Sequence, residues 1–161
     1  MMRIELHTTI QTLSRVAVVC VALSCGSAFA SNGSIIDEEC KTWTEQTRKN
    51  EGCDAVCPQS QAWIDHYDYV KGLNAAFSQR TGLSNFIAYT GRSTIMGASA
   101  DVQACNLYVL LMHWHDATFS WTLARYSVET KERVMGLLDY AEIPEFQTRF
   151  PLTYRLAKRS Q

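Results

Sequence analysis

The chain is poor in backbone breakers, with three prolines and eight glycines in 161 residues and none of either between Asp101 and Tyr126. Charge of one sign is missing too: the formal net charge is −1. Without a basic excess there is little to neutralise phosphates, so a nucleic-acid partner is not expected. No Cys-x-x-Cys pair occurs, which removes the motif for thioredoxin-type redox chemistry and for c-type haem attachment. A His-Glu-x-x-His zinc motif and a serine nucleophile elbow are also lacking. There is no internal repeat, linker or low-complexity segment. The apolar run Val16–Leu23 is too short to span a bilayer comfortably.

That run belongs to a different pattern. Arg3 and Arg15 form a positive start, Val16–Leu23 an apolar middle, and Ala28-Phe29-Ala30 a small-x-small cleavage site. Residues 1–30 therefore read as a secretory signal peptide, with residues 31–161 as the exported protein. A bacterial periplasm is the expected compartment. The competing reading takes Leu23-Ser24-Cys25-Gly26 as a degenerate lipoprotein box that anchors the chain at Cys25. After cleavage no stable membrane span is expected. Loss of Arg3, Arg15 and Glu5 leaves a net charge of −2 on a length that suits one domain with one core.

Four cysteines then remain: Cys40, Cys53, Cys57 and Cys105. In an oxidising compartment they predict two disulfides rather than a metal or redox site. Cys53 and Cys57 stand too close for an easy mutual bridge on a helix. The expected pairing therefore sends one of them to Cys40 and the other to Cys105.

Asp101–Tyr126 (DVQACNLYVLLMHWHDATFSWTLARY) is the longest apolar stretch after the N-terminus. Its length and its Leu, Met and Ala content favour helix over strand. Apolar residues on all sides predict a buried central helix. Around it the spacing predicts an irregular all-α bundle of about five helices, stapled by disulfides. The first is capped at Ser34 and ends at Asn50-Glu51-Gly52. The second opens at Pro58 and closes at Thr81-Gly82. A short helix follows from Ser84 to Gly91, and another is capped at Ser127 and runs over 128–140. Pro151 separates a turn containing Phe146 and Phe150 from a last segment.

On the central helix, Asn106, His113, Asp116 and Ser120 fall on one side at 100° per residue. His113 and Asp116 are i,i+3 neighbours. Three readings compete. His113, Asp116 and Ser120 are candidates for a hydrolase or acid–base site, although a triad needs the histidine in the middle and here Asp116 occupies it. His113 and Asp116 with His66 are a weak metal set, and neither metal nor cofactor is expected. The favoured reading is structural, with the polar groups satisfied inside the bundle. Arg92, in the small-residue loop Gly91–Ala100, is a candidate anion contact at a helix N-terminus. Trp114 and Trp121 are candidate interface anchors. The function expected is a non-enzymatic module that binds another envelope protein, as an inhibitor, an immunity-type protein or an assembly accessory. The alternative is a small exported hydrolase using His113 and Asp116.

Overall fold

The structure is a computed structural model that describes the backbone of residues 32–158 and the side chains of residues 35–156. The expected signal peptide, Cys20 and the candidate anchor Cys25 lie outside the described residues. Among the described residues there are helices and turns and no strands. The elements are α1 (Asn32–Lys49), α2 (Pro58–Ala62), α3 (Tyr69–Ser78), α4 (Arg80–Thr90), α5 (Ala98–Ala124), α6 (Val128–Tyr140), α7 (Phe146–Arg149) and α8 (Pro151–Lys158), with a 3-10 turn at Asp54–Val56. Helix α1 begins at Asn32, so Ser34 falls inside its first turn rather than at its cap.

Helix α5 is the axis of the fold and packs against α1, α2, α3, α4, α6 and α8. Its first part is the expected buried rod: Leu107, Tyr108, Leu110 and Leu111 are fully buried. Each such side chain contributes about 1.5–3 kcal/mol of transfer free energy. Beyond Leu111 the helix runs along the surface. His113, His115 and Ala117 are exposed there, while Phe119 and Leu123 hold the inner side. The change coincides with a break at His115, whose φ of 59° and ψ of 158° are not helical.

The long second helix expected from Pro58 to Gly82 is three pieces. Helix α2 ends at Ala62, whose carbonyl accepts the N–H groups of Asp65 and Tyr67 and winds the chain into a turn. Asp68 then opens α3 by accepting the Lys71 N–H at 3.0 Å, an N-cap the apolar spacing had hidden. Gly82 does not close a helix. It lies within α4 where that helix crosses α3, and a Cβ there would stand 2.1 Å from the Ala75 carbonyl oxygen. Helix α6 matches expectation, with Ser127 accepting the Thr130 N–H at 3.3 Å. Pro151 opens α8, as expected of a proline whose missing N–H is not needed in a first turn.

The disulfide pairing differs from the expected one. Cys40 of α1 bonds Cys105 of α5, with 4.6 Å between their Cα atoms. Cys53 bonds Cys57, 5.0 Å apart at Cα. The expectation failed because it placed Cys53 and Cys57 on a helix. They flank the 3-10 turn instead, which brings their Cα atoms within disulfide range. Cys40 shares the inner face of α1 with Thr44 and Thr47, and that face lies on α5.

Candidate functional site

The polar side of α5 does not converge on one place. Asn106 Nδ2 donates to the Tyr69 hydroxyl at 3.1 Å. His113 Nε2 lies 2.9 Å from the Phe77 carbonyl oxygen, which can only accept, so that nitrogen carries the proton. Both residues therefore reach α3. The Asp116 carboxylate turns to α8 and accepts the backbone N–H groups of Leu152 and Thr153 at 2.7 and 2.8 Å. Ser120 Oγ donates within its own helix to Ala117 O at 3.2 Å. The break at His115 is the cause, because i,i+3 neighbours meet only on an unbroken helix. His66, the third member of the weak metal set, is exposed in the turn before α3. Among the described residues no three His, Cys, Asp or Glu side chains gather closely enough to hold a metal ion.

Trp114 is not displayed to solvent as an anchor. Its indole N–H donates to Ala76 O at 2.7 Å, and its ring meets His113 edge-on. Trp121 is 58% exposed and carries the Arg125 guanidinium 4.9 Å above its ring.

The loop after Arg92 is held by the chain itself. Asp65 accepts the Thr94 N–H at 3.0 Å, the Thr94 hydroxyl at 2.7 Å and the Tyr89 hydroxyl at 3.0 Å. Burial pushes the Asp65 carboxyl up, but these hydrogen bonds and the nearby Arg92 charge outweigh it and hold the group below its ordinary value. Ser93 Oγ accepts the Ile95 N–H at 3.2 Å, and Gln61 Oε1 accepts the Met96 N–H at 2.8 Å. The N–H groups of residues 94–96 are thus already used within the chain. Arg92 itself lies over the Tyr89 ring, 5.8 Å from its centroid. Tyr89 in turn stacks on Tyr67, with 3.7 Å between centroids. Burial raises the Tyr67 hydroxyl to about 12, so neither it nor the stack supplies a base at neutral pH.

This pinned loop is one wall of a wide groove. The groove encloses about 1070 Å³ between residues 93–98, the start of α5 and the outer face of α6. Met96 and Tyr140 stand in it at 70% and 64% exposure, beside Leu137. Its charged side chains are Asp101, Glu129, Glu132 and Arg133. The Arg133 guanidinium donates to Ile95 O at 3.1 Å and ties α6 to the loop. The turn that Gln61 and Asp65 fasten to this loop carries Trp63 and Ile64, exposed by 59% and 74%. Trp63 falls inside the long helix expected from Pro58 to Gly82, and Met96 inside the small-residue loop Gly91–Ala100. The only advance signal of the groove was Gly136, a glycine inside an otherwise well-formed helix.

The chain matches no protein family, no curated protein and no solved structure.

Proposed function

We propose that this chain is an exported, disulfide-stapled helical protein of the bacterial envelope that acts by binding another protein. The observation that carries this reading is the concentration of exposed large apolar side chains on segments bonded to one another. Trp63 and Ile64 occupy the turn, Met96 the loop fastened to it, and Tyr140 the groove wall beyond. Side chains of this size each gain about 1.5–3 kcal/mol when buried, and large apolar side chains left exposed on linked segments suit an interaction surface. Aromatic anchors beside a recess are the usual centre of such an interface. Export is supported by the signal-like pattern of residues 1–30 and by the engagement of all four remaining cysteines in disulfides. No helix among the described residues is long and apolar enough to cross a membrane. An acid–base enzyme built on His113 and Asp116 has less support, because both Asp116 oxygens are taken by backbone N–H groups.

The test is photo-crosslinking in cells with benzoylphenylalanine placed at Met96 or at Gln147, an exposed residue of α7 away from the groove. A discrete protein adduct from position 96 and none from 147 is expected. No adduct from 96, or the same adducts from both positions, overturns the reading. Intact mass of the envelope material should correspond to a chain starting at Ser31. A lipid on Cys25 would establish anchoring instead.

A further inference from the structure

Glycine inside a helix costs roughly 0.8–1 kcal/mol relative to alanine, so its presence calls for a reason. Two helical glycines of this chain have one within the fold, and so does Gly91, the residue that ends α4. A Cβ at Gly72 would stand 1.9 Å from the Tyr67 hydroxyl, at Gly82 2.1 Å from the Ala75 carbonyl oxygen, and at Gly91 2.5 Å from Thr130 Oγ1. Gly136 has none. It lies within α6 without a positive φ, and a Cβ there would meet nothing within 4 Å. The space in front of it is the groove. A bare helix backbone facing open space is the arrangement needed when a second backbone approaches closely from outside the chain.

The chemistry of the groove says what approaches. Met96, Leu137 and Tyr140 offer apolar contact. Asp101, Glu129 and Glu132 contribute three negative charges against the single positive charge of Arg133, which is directed onto the Ile95 carbonyl. The excess is negative, and a partner must supply the opposite charge to avoid burying it unpaired. We propose that the groove receives a short segment of another protein that carries lysine or arginine between apolar residues, with its backbone drawn close to α6 at Gly136. This rests on the protein-binding reading above and specifies the partner's chemistry.

Two synthetic amphipathic peptides with the same leucines, one with lysine and one with glutamate on the polar face, serve as probes. Binding is read by fluorescence anisotropy against the exported, disulfide-bonded chain. The lysine peptide should bind at least tenfold more tightly than the glutamate peptide, weaken with added salt, and shift the Met96 methyl resonance. Gly136→Trp fills the groove from an open position, so it should melt no lower than wild type and lose at least tenfold in affinity. Glu132→Lys should narrow or reverse the preference between the peptides. If Gly136→Trp melts lower, Glu132→Lys and the Met96 resonance decide.

Equal binding of the two peptides overturns the basic-partner inference. Binding unaffected by Gly136→Trp, with no Met96 shift, overturns the groove as the site. Self-association of the chain that Gly136→Trp abolishes assigns the groove to a second copy and likewise overturns the proposal. If neither peptide binds while the adduct from position 96 still forms in cells, this inference fails and the protein-binding reading survives.

Discussion

Asp37 of α1 and Arg149 of α7 meet across 112 residues of sequence, with the two guanidinium nitrogens 3.2 and 3.0 Å from the two carboxylate oxygens. The Tyr108 hydroxyl of α5 donates to the same carboxylate. The guanidinium also lies over the Tyr108 and Phe150 rings, 5.6 and 5.4 Å from their centroids. Three elements are thereby locked by one acid. Asp37→Ala should lower stability by about 1.5–3 kcal/mol, in the range for hydrogen bonds to charged groups. The melting temperature should fall by several degrees.

The same site gives a pH dependence with a definite sign. Burial raises the Asp37 carboxyl, but the Tyr108 and Arg149 hydrogen bonds and the Arg149 charge outweigh it and hold the group below its ordinary value of 3.8. A carboxyl depressed in the folded state binds protons more readily when unfolded. Its contribution is present above the unfolded pKa and disappears as pH falls through the folded one. Melting curves of wild type and Asp37→Ala should differ fully at pH 6, begin to converge as pH falls below about 4, and meet only below the depressed folded-state pKa. A gap that stays constant down to pH 2 would remove the carboxylate from the explanation.

His113 and Asp116 should behave as independent sites. Asp116 serves the first turn of α8, and His113 serves the last turn of α3. Asp116→Ala leaves the part-buried Thr153 N–H unmatched, at a cost of about 1–3 kcal/mol, whereas the Phe77 carbonyl is exposed to water and His113→Ala should cost less. The double variant should equal the sum within about 0.5 kcal/mol, as expected for sites that share no partner. A thermal-melt cycle with a larger coupling would mean that the two side chains interact after all.

His115 occupies backbone space that is open essentially to glycine alone. His115→Gly should therefore stabilise the chain by about 1–2 kcal/mol, the strain relieved less the extra entropy that glycine loses on folding. His115→Ala keeps the strain and should not stabilise. If both variants melt together, the break in α5 is not held under strain.

The two disulfides should differ in weight. Cys40–Cys105 closes a separation of 65 residues and Cys53–Cys57 one of 4. In the chain-entropy model these correspond to about 4 and about 2 kcal/mol. Paired Cys→Ala variants, compared by urea denaturation, should show the larger loss for the 40–105 pair.

Much of the fold was written locally. The apolar stretch around Leu107–Leu111 announced the axis and Ser127 announced α6, while Pro151 marked only a break before the last segment, because burial pattern, capping and proline chemistry act over a few residues. The all-α class and the use of all four cysteines followed from the same kind of evidence. Tertiary structure alone decided the rest. Whether a helix continues past Ala62 depended on Asp68 capping α3, and the phase between His113 and Asp116 depended on one backbone angle pair at His115. The cysteine partners depended on the face that α1 turns to α5, and the Asp37–Arg149 pair on a closure spanning most of the described chain. The groove depended on loop 93–98 settling against α6, where Gly136 leaves room. Periodicity reports which side of an element is apolar, but it carries no record of which elements will meet. That is chosen by packing among distant segments, and so the polar groups along α5 found separate partners while the open surface formed elsewhere.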